Sequence, residues 1–322
     1  MEVAVGNDVI GPSALLTEEQ SVTGTGNVSD GILNWSNAIS RPGYTSLYDS
    51  MVAELAEYLG EAPTKVAVAC AAGAESVAQE WSGRHLGKKS PESDVLEFYR
   101  TTKSYLFDLT TFNAEYPHTE TLDAMIRMAK KQGLTKFLDF GSGIGSVGLF
   151  FALNGMDVTL ADVSEPLLDY AAWRFHVRGL KVKLINLNRE QLPKETYDLV
   201  TTFDVLEHLS NPAGTLHVLA GSLRVGGLLA LNVEEADERF PQHITTYEDV
   251  LSITAAAGFR RRAFLGKTEI FERVHRNAIS NLCHSIWGKI WYGFLYRKTV
   301  ALLEILKIKQ TIRTWIKGPK VQ

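Results

Sequence analysis

A glycine-rich turn after a short apolar run constrains the fold of this chain more than any other feature. Residues 137–140 read Phe-Leu-Asp-Phe, and Gly141, Gly143 and Gly145 follow at every second position. Glycine lets a backbone turn sharply and approach a ligand closely, and the first turn of a helix offers free N–H groups. The pattern therefore predicts a buried strand, a turn that binds a nucleotide-like ligand, and a helix, with Asp139 at the end of the strand.

The spacing of the glycines separates this turn from the dinucleotide-binding fingerprint Gly-x-Gly-x-x-Gly. In that fingerprint Gly148 would have to be the third glycine, and the acid at Asp139 would have no role. Another ligand site on the same kind of sheet stays open as an alternative, because many functions share this fold.

Short β-type runs alternate with helical patterns after residue 133, which is typical of a parallel sheet covered on both faces. The expected strands are 136–140, 157–161, 182–187, 199–203, 227–232, 259–265 and 268–274. The expected helices between them are 146–153, 165–177, 212–223 and 245–257. The predicted fold class is α/β, a doubly wound Rossmann-like seven-stranded sheet with helical N-terminal and C-terminal extensions.

Changes of composition divide the chain into four regions. Residues 1–44 mix Gly, Ser, Thr, Asn and acidic residues and predict a flexible leader. Apolar residues then recur at helical spacing, so we expect a helical accessory region at 45–133 that acts as a lid. The α/β domain follows at 134–275, and a basic amphipathic helical tail occupies 276–322.

Composition and charge exclude several classes of protein. Thirty-three Lys or Arg against 37 Asp or Glu give a formal net charge of −4, so DNA is not an expected partner. Cys70 and Cys283 are the two cysteines, and their wide separation favours neither a disulfide framework nor a zinc site. We find no export signal and no uninterrupted apolar run of about 18 residues. The expected location is the cytoplasm.

The tail at 276–322 differs in charge from the rest of the chain. It holds nine Lys or Arg and one Glu, a formal charge of +8, and its apolar residues at helical spacing include Trp287, Trp291 and Trp315. Such a helix suits an anionic membrane surface, which predicts peripheral membrane contact through 281–317. Packing on the α/β domain and a homodimer interface are the alternatives.

Further polar residues follow the predicted strands in chain order. Asp162 follows the second strand, where a carboxylate can accept both hydroxyls of a ribose, and Asn188 follows the third, where an amide can pair with adenine. The fourth strand ends in Phe203-Asp-Val-Leu-Glu-His-Leu209. With the glycine turn, these motifs resemble the class I S-adenosylmethionine-dependent methyltransferases over residues 136–274, particularly the branch that acts on small molecules and quinones.

The resemblance implies a role for each matching residue. In that family the first-strand acid and the glycine turn hold the methionine part of S-adenosylmethionine, the second-strand acid holds the ribose, and the residue after the third strand contacts adenine. The cofactor-binding residues implied here are Asp139, Gly141, Gly143, Gly145, Asp162, Asn188, Phe203 and Asp204. Many relatives have Asp where Asn188 stands, and Asn186 is the alternative adenine contact. The resemblance therefore makes 134–275 an S-adenosylmethionine-binding methyltransferase domain.

Two histidines are candidate catalytic bases. His208 lies in the loop after the fourth strand, and His243 precedes the helix that commonly lines the acceptor pocket in this family. Neutral imidazole can take a proton near pH 7 while the site positions the acceptor. We therefore expect methyl transfer to a small hydrophobic acceptor, with O-methylation favoured and carbon or nitrogen methylation left open.

Three alternative functions stay open. Asp204, Glu207 and His208 could hold a divalent cation that binds an acceptor oxygen and lowers its pKa. The basic tail allows an RNA methyltransferase, whose binding would depend steeply on salt. The chain could also be a non-catalytic, cofactor-binding partner at a membrane.

Overall fold

The computed structural model describes residues 33–115, 119–233, 240–265 and 267–274. These residues contain a mixed seven-stranded sheet, whose strands are β1 (Lys136–Phe140), β2 (Asp157–Asp162), β3 (Lys183–Asn186), β4 (Tyr197–Phe203), β5 (Leu223–Asn232), β6 (Phe259–Leu265) and β7 (Thr268–Arg273). The spatial order is β3-β2-β1-β4-β5-β7-β6. Strands β1 to β5 run parallel, and β7 is antiparallel to β5 and β6. The predicted fold class is confirmed.

The helices lie before the sheet and between its strands. Those before it are α1 (Trp35–Ile39), α2 (Leu47–Leu59), α3 (Pro63–Ala71), α4 (Gly73–Gly83), α5 (Glu92–Thr101), α6 (Ser104–Glu115) and α7 (Thr119–Gln132). Those after β1 are α8 (Ser146–Leu153), α9 (Glu165–Val177), α10 (Pro212–Ser222) and α11 (Tyr247–Thr254), with a short 3-10 helix at Leu206–His208.

Local sequence explains where two of these helices begin and end. The Ser46 side chain accepts a hydrogen bond from the Asp49 N–H at 3.2 Å, which caps α2, and Gly60 ends the helix in the left-handed conformation at φ 66°. The Asn211 side chain caps α10 in the same way, ahead of Pro212 in the first helical turn.

The central strands supply the core of the sheet. Leu138, Leu160, Leu199 and Leu229 are each 0% exposed, since helices cover both faces of the parallel part of the sheet. Strand β1 has β2 on one side and β4 on the other, so the strand order reverses at β1. Ligands of open α/β sheets bind outside the carboxyl ends of the strands at such a reversal. The fold therefore places a binding crevice where the glycine turn leaves β1.

Helix α1 lies within the segment 1–44 that the sequence predicts as a flexible leader. Helix α1 buries Trp35 and Ile39, which are one helical turn apart, and the Trp35 indole N–H donates to the Asn113 carbonyl at 3.2 Å. The polar composition around Trp35 hides this apolar face, because only two or three residues form it. The division of the chain into four regions otherwise stays a prediction.

The tail at 276–322 lies outside the described residues, so its predicted membrane contact and dimer interface stay predictions. Among the described residues, none of the helices has the length and apolar character that crossing a membrane requires.

Candidate functional site

A cavity opens at the carboxyl ends of β1, β2 and β4. Its volume is about 1080 Å³, at the upper end of the range of roughly 300–1,000 Å³ for small-molecule sites. The glycine turn forms one wall, the loop after β4 forms another, and α5 and α6 cover a third. Most of the predicted cofactor residues and both predicted catalytic histidines therefore face one space.

The glycine turn is closely packed where it lines the cavity. Gly141 and Gly143 have φ of 71° and 51°, in the left-handed region that favours glycine. A Cβ at Gly141 would lie 2.3 Å from Cγ2 of Val205, and a Cβ at Gly143 would lie 2.7 Å from Cδ1 of Leu109 in α6. Both positions therefore favour glycine for conformation, and Gly141 also lacks space for a side chain beside Val205.

Gly145 has a different environment from the other two glycines of the turn. It precedes α8 at φ 74°, and a Cβ there would lie 2.9 Å from Cβ of Ala171 in α9. It is not among the residues that line the cavity. The structure thus explains Gly145 by the close packing of the turn on α9, and its predicted cofactor role stays a prediction.

Asp139 presents a buried carboxylate to the cavity. The Thr201 hydroxyl of β4 donates to Oδ1 at 2.8 Å, while Oδ2 has no hydrogen-bond partner in the described structure. Burial raises the pKa of Asp139 to about 7, although the hydrogen bond from Thr201 opposes that rise. Because a buried oxygen without a partner is costly, this arrangement suits a ligand with a cationic donor.

Asp162 joins the end of β2 to the glycine turn. Its Oδ2 accepts from the Gly143 N–H at 2.9 Å, and its Oδ1 accepts from the Ser164 N–H at 2.8 Å. Burial raises its pKa, and these backbone hydrogen bonds oppose the rise. One carboxylate thus fixes the turn and lines the cavity, a link that the linear sequence does not reveal.

The structure does not bring Asn188 into the cavity wall. Asn188 is exposed, and its side-chain amide donates to the Val163 carbonyl at 2.6 Å and to Asn186 Oδ1 at 3.0 Å. Leu187 lines the cavity at this strand instead. The adenine contact assigned to Asn188, with Asn186 as its alternative, stays a prediction.

Phe203 and Asp204 line the cavity at the end of β4. Asp204 has φ of 54°, a left-handed conformation that is uncommon for residues other than glycine. The side-chain oxygen of Asn232 in β5 accepts a hydrogen bond from the Asp204 N–H at 2.9 Å and holds this conformation. The loop after β4 therefore leaves the sheet through a strained residue, which is a common feature of functional sites.

Glu207, His208 and His243 converge beside this loop. One nitrogen or oxygen atom of each lies within 4.8 Å of the others, and Glu207 is 0% exposed. The Glu207 carbonyl accepts from the N–H groups of Ile244 and Thr245 at 2.8 and 2.9 Å, which brings His243 to His208. Asp204, part of the predicted cation site, is not one of these converging residues, and His243 is. The cation site stays a prediction.

His208 has a defined orientation. Its Nδ1 lies 3.2 Å from the Gln242 carbonyl oxygen, and its ring centroid lies 4.8 Å from that of His243. Since a carbonyl only accepts, this contact favours the neutral tautomer with its proton on Nδ1, in which Nε2 is the nitrogen with the lone pair. The backbone of Asp204 also makes a hydrogen bond with the ring. Burial, together with the His243 ring, lowers the pKa of His208 to about 4. The ring is neutral at pH 7.

Aromatic side chains cover this part of the cavity. The Tyr99 ring lies 5.5 Å from that of His208 and 5.8 Å from that of Tyr105, and Phe240 stacks on His243 at 5.3 Å. Burial raises the pKa of both tyrosines, so their hydroxyls stay protonated. The two tyrosines belong to α5 and α6, within the helical region from which we predicted a lid.

Sequence reasoning missed several residues of α6 that line the cavity, among them Asp108 and Leu109. Burial raises the pKa of Asp108 to about 6. An acid flanked by apolar residues, as in Leu-Phe-Asp-Leu at 106–109, is the signal that could have identified it.

Comparison with known proteins supports the family suggested by the motifs. Residues 138–229 match a family model described as a methyltransferase domain. The ubiquinone biosynthesis O-methyltransferase of Marinobacter nauticus is 26% identical over 159 residues, which cover 48% of this chain and 65% of that protein. The protein of the same name from Caulobacter vibrioides is 35% identical over 101 residues, which cover 30% of this chain and 40% of that protein. The chain thus spans only part of the length of these relatives.

The structural similarity is weaker. An S-adenosylmethionine-dependent methyltransferase from Clostridium acetobutylicum is 13% identical with a TM-score of 0.43, and the match covers 51% of this chain and 96% of that one. The family resemblance therefore depends on the sequence matches, and the matched residues 138–229 include the glycine turn. Residues 138–229 match a methyltransferase domain, in agreement with the resemblance of the motifs to the class I S-adenosylmethionine-dependent methyltransferases.

Proposed function

We propose that this chain transfers the methyl group of S-adenosylmethionine to an oxygen atom of a small, largely apolar acceptor. The observation that carries the proposal is the shared cavity, in which the glycine turn, Asp139 and Asp162 face the same space as His208. Methyl transfer to a hydroxyl group needs a bound cofactor, a positioned acceptor and a group that takes the proton.

Two carboxylates support S-adenosylmethionine as the cofactor. The buried Oδ2 of Asp139 has no hydrogen-bond partner in the described structure and suits the α-ammonium group of the methionine part. The Asp162 oxygens retain lone pairs beyond their two backbone hydrogen bonds, which suits the ribose hydroxyls. When bound, S-adenosylmethionine supplies an electrophilic methyl group on a sulfonium sulfur.

His208 is the proton acceptor in this proposal. The Gln242 carbonyl holds its Nδ1–H, which leaves the Nε2 lone pair to take the proton of the acceptor hydroxyl. The imidazole is neutral at pH 7, which is the form that can accept a proton. His243 lies beside it as the second candidate base.

The lining of the cavity supports an acceptor with an apolar body and a hydroxyl group. Tyr99, Tyr105 and Phe240 provide aromatic surface around the two histidines. The relatives named as ubiquinone biosynthesis O-methyltransferases support oxygen as the methylated atom.

Replacing Asp162 with alanine tests the cofactor assignment. We expect the Kd for S-adenosylmethionine and for S-adenosylhomocysteine to rise about 10- to 100-fold, since each hydrogen bond to a charged group contributes about 1.5–3 kcal/mol. Calorimetric titration of the wild type and the variant with both ligands measures this change.

Asp157→Ala is the matched control, because Asp157 begins the same strand and is exposed. Its affinity for the cofactor should equal that of the wild type. An Asp162→Ala variant with unchanged affinity would refute the ribose assignment, and a wild type that binds neither ligand would refute the proposed cofactor.

A divalent cation held by Glu207, His208 and His243 is the second candidate mechanism. The convergence of these three side chains favours it, since two imidazoles and a carboxylate suit zinc, iron or manganese. The cation would bind the acceptor oxygen and lower its pKa. In that case His208 would be a ligand and could not act as the base.

Removal of metal distinguishes the two mechanisms. If His208 is the base, dialysis against EDTA should leave turnover within about twofold of the untreated enzyme. If the cation is required, turnover should fall at least tenfold and return when Zn²⁺ or Mn²⁺ is added, because second-shell and ligand changes commonly cost 10–100-fold in metal sites. His243→Ala should then weaken Mn²⁺ binding, while His217→Ala, at an exposed position on α10, should not.

A further inference from the structure

A buried ion-pair network connects α2 to α9. Glu54 of α2 and Arg174 of α9 are both 0% exposed, and Arg174 Nε lies 3.2 Å from Glu54 Oε2. Arg178, one turn further along α9, contacts the other oxygen, Oε1. One carboxylate from the N-terminal helices thus binds two guanidinium groups of the α/β domain.

The same network reaches the glycine turn through Arg174. Its Nη1 donates to the Ile144 carbonyl and to the Ser146 hydroxyl, both at 2.8 Å. These two residues flank Gly145 at the point where the turn becomes α8. Arg174 therefore holds Glu54 with one nitrogen and the end of the turn with another.

The contact with the Ile144 carbonyl also fixes the next amide. Because a peptide group is planar, the orientation of the carbonyl sets that of the Gly145 N–H. That N–H donates to the Ser142 carbonyl at 2.8 Å and closes the turn. Ser142 and Ile144 both line the cavity, so the guanidinium group acts on cavity-lining backbone without lining the cavity itself.

Charge keeps this network in place. Burial opposes ionisation of Glu54, but Arg174 and Arg178 together hold its pKa below the usual range, so the carboxylate stays charged. Buried ion pairs add little net stability compared with apolar residues of similar volume, but they impose a defined geometry. The α2–α9 contact also has an aromatic part, since Tyr58 packs on Tyr170 at 4.8 Å between ring centroids. Docking of α2 therefore does not depend on the ion pair alone.

We propose that Arg174 is a positioning residue for the cofactor turn, and that Glu54 of α2 holds Arg174 in the geometry that the turn needs. The proposal rests on the proposed function for the identity of the cofactor, though not for the shape of the turn. The N-terminal helices thus contribute to cofactor affinity as well as to the wall around the acceptor. By linkage, a bound cofactor strengthens the docking of α2 by the same factor.

Arg174→Lys and Arg178→Lys form a matched pair of variants. Both keep the positive charge beside Glu54, so both should fold. Lysine cannot reproduce the several directed contacts of a guanidinium group. Arg174→Lys should therefore lose the hydrogen bonds to the Ile144 carbonyl and the Ser146 hydroxyl. Arg178 makes no contact with the turn, since its other hydrogen bonds go to the carbonyls of Ile39 and Arg174.

The first measurement is the Kd for S-adenosylhomocysteine by calorimetry, with the unfolding temperature recorded for each variant. We expect Arg174→Lys to raise the Kd at least tenfold and Arg178→Lys to raise it less than threefold, even if both lower the unfolding temperature equally. Equal losses of affinity in the two variants would overturn the proposal, because a purely structural network would affect both alike.

The second measurement is amide hydrogen exchange of residues 141–149 in the cofactor-free protein. Exchange should be faster than in the wild type for Arg174→Lys and for Ser146→Ala, and unchanged for Arg178→Lys. Unchanged exchange in Arg174→Lys would overturn the proposal. This readout needs no ligand, so it still tests Arg174 if the wild type binds neither S-adenosylmethionine nor its product.

Discussion

His208→Ala is expected to lower kcat by about 10²–10⁴-fold, the usual contribution of a general base, while the Kd for S-adenosylmethionine changes less than threefold. The physical reason is the orientation of the His208 imidazole. In the proposed tautomer its Nδ1–H donates to the Gln242 carbonyl oxygen, so Nε2 is the atom that takes the proton. The side chain lies in the loop after β4, whereas the Asp139 and Asp162 carboxylates lie on β1 and β2. Steady-state turnover with a phenolic acceptor pool, together with calorimetric titration of the cofactor, measures both quantities.

His217→Ala is the control for a histidine that does not line the cavity. It should retain the kcat and the cofactor affinity of the wild type. If His208→Ala kept full kcat, proton transfer would have to be assigned to His243 or to solvent. A matching fall in cofactor affinity would instead indicate that the loop had lost its structure.

Asp139→Asn should raise the stability of the protein at pH 8 and lower its affinity for the cofactor. Burial raises the pKa of Asp139 from 3.8 to about 7, so the folded state favours the protonated carboxyl. The stability that this group contributes is present below pH 4 and is lost as the pH rises through 7. At pH 8 the wild type holds a buried charge that asparagine lacks. The variant should therefore be more stable than the wild type at pH 8 by ~2–4 kcal/mol.

Cofactor affinity should fall in the same variant by about 10- to 100-fold, since a charged hydrogen bond of about 1.5–3 kcal/mol is lost. Urea unfolding at pH 5 and pH 8, with calorimetry at pH 8, measures both effects. The gain in stability should shrink at pH 5, where the wild-type carboxyl is largely protonated. A variant that was less stable than the wild type at pH 8 would contradict the conclusion that burial raises the pKa of Asp139.

Asp198→Asn, on the neighbouring strand β4, is the matched control, because its change in stability at pH 8 should have the opposite sign. Burial disfavours the charged form of Asp198, but the Lys136 and Thr135 N–H groups donate to it at 3.0 and 2.7 Å and hold its pKa below the usual range. Its stabilising contribution is present above pH 4 and is lost as the pH falls. Asp198→Asn should therefore destabilise the protein at pH 8, where Asp139→Asn stabilises it.

Local patterns in the sequence predicted the parts of the site that lie on consecutive residues. The glycine turn and the acids at the ends of β1 and β2 follow from strand and turn chemistry, because each signal spans fewer than ten residues. The same reasoning did not anticipate helix α1, whose apolar residue Trp35 lies in a polar segment. It also did not anticipate that the Asn188 amide turns toward the Val163 carbonyl.

The parts that could not be predicted depend on contacts between distant segments. Glu54 and Arg174 are 120 residues apart in sequence, and nothing near either residue indicates its partner. Likewise Leu109 covers Gly143 only because α6 packs over the end of β1. Such contacts are set by how the helices dock on the sheet, and one sequence carries no periodic signal for that docking.

The two halves of the cavity are attached to the rest of the molecule in different ways. The cofactor half is built on β1, β2 and β4, in the middle of the sheet, where backbone amides open only when the whole domain unfolds. The segment that carries His243 is joined to the loop after β4 by the Ile244 and Thr245 amides, by a bond from the Thr245 hydroxyl to Leu209 and by the contact of His208 Nδ1 with the Gln242 carbonyl. A local opening that breaks these contacts would separate the two histidines while the cofactor cradle stays folded. If His208 takes the proton, we expect a molecule opened at this segment to bind its cofactor without turning over, so the closed fraction would set the fraction of active enzyme.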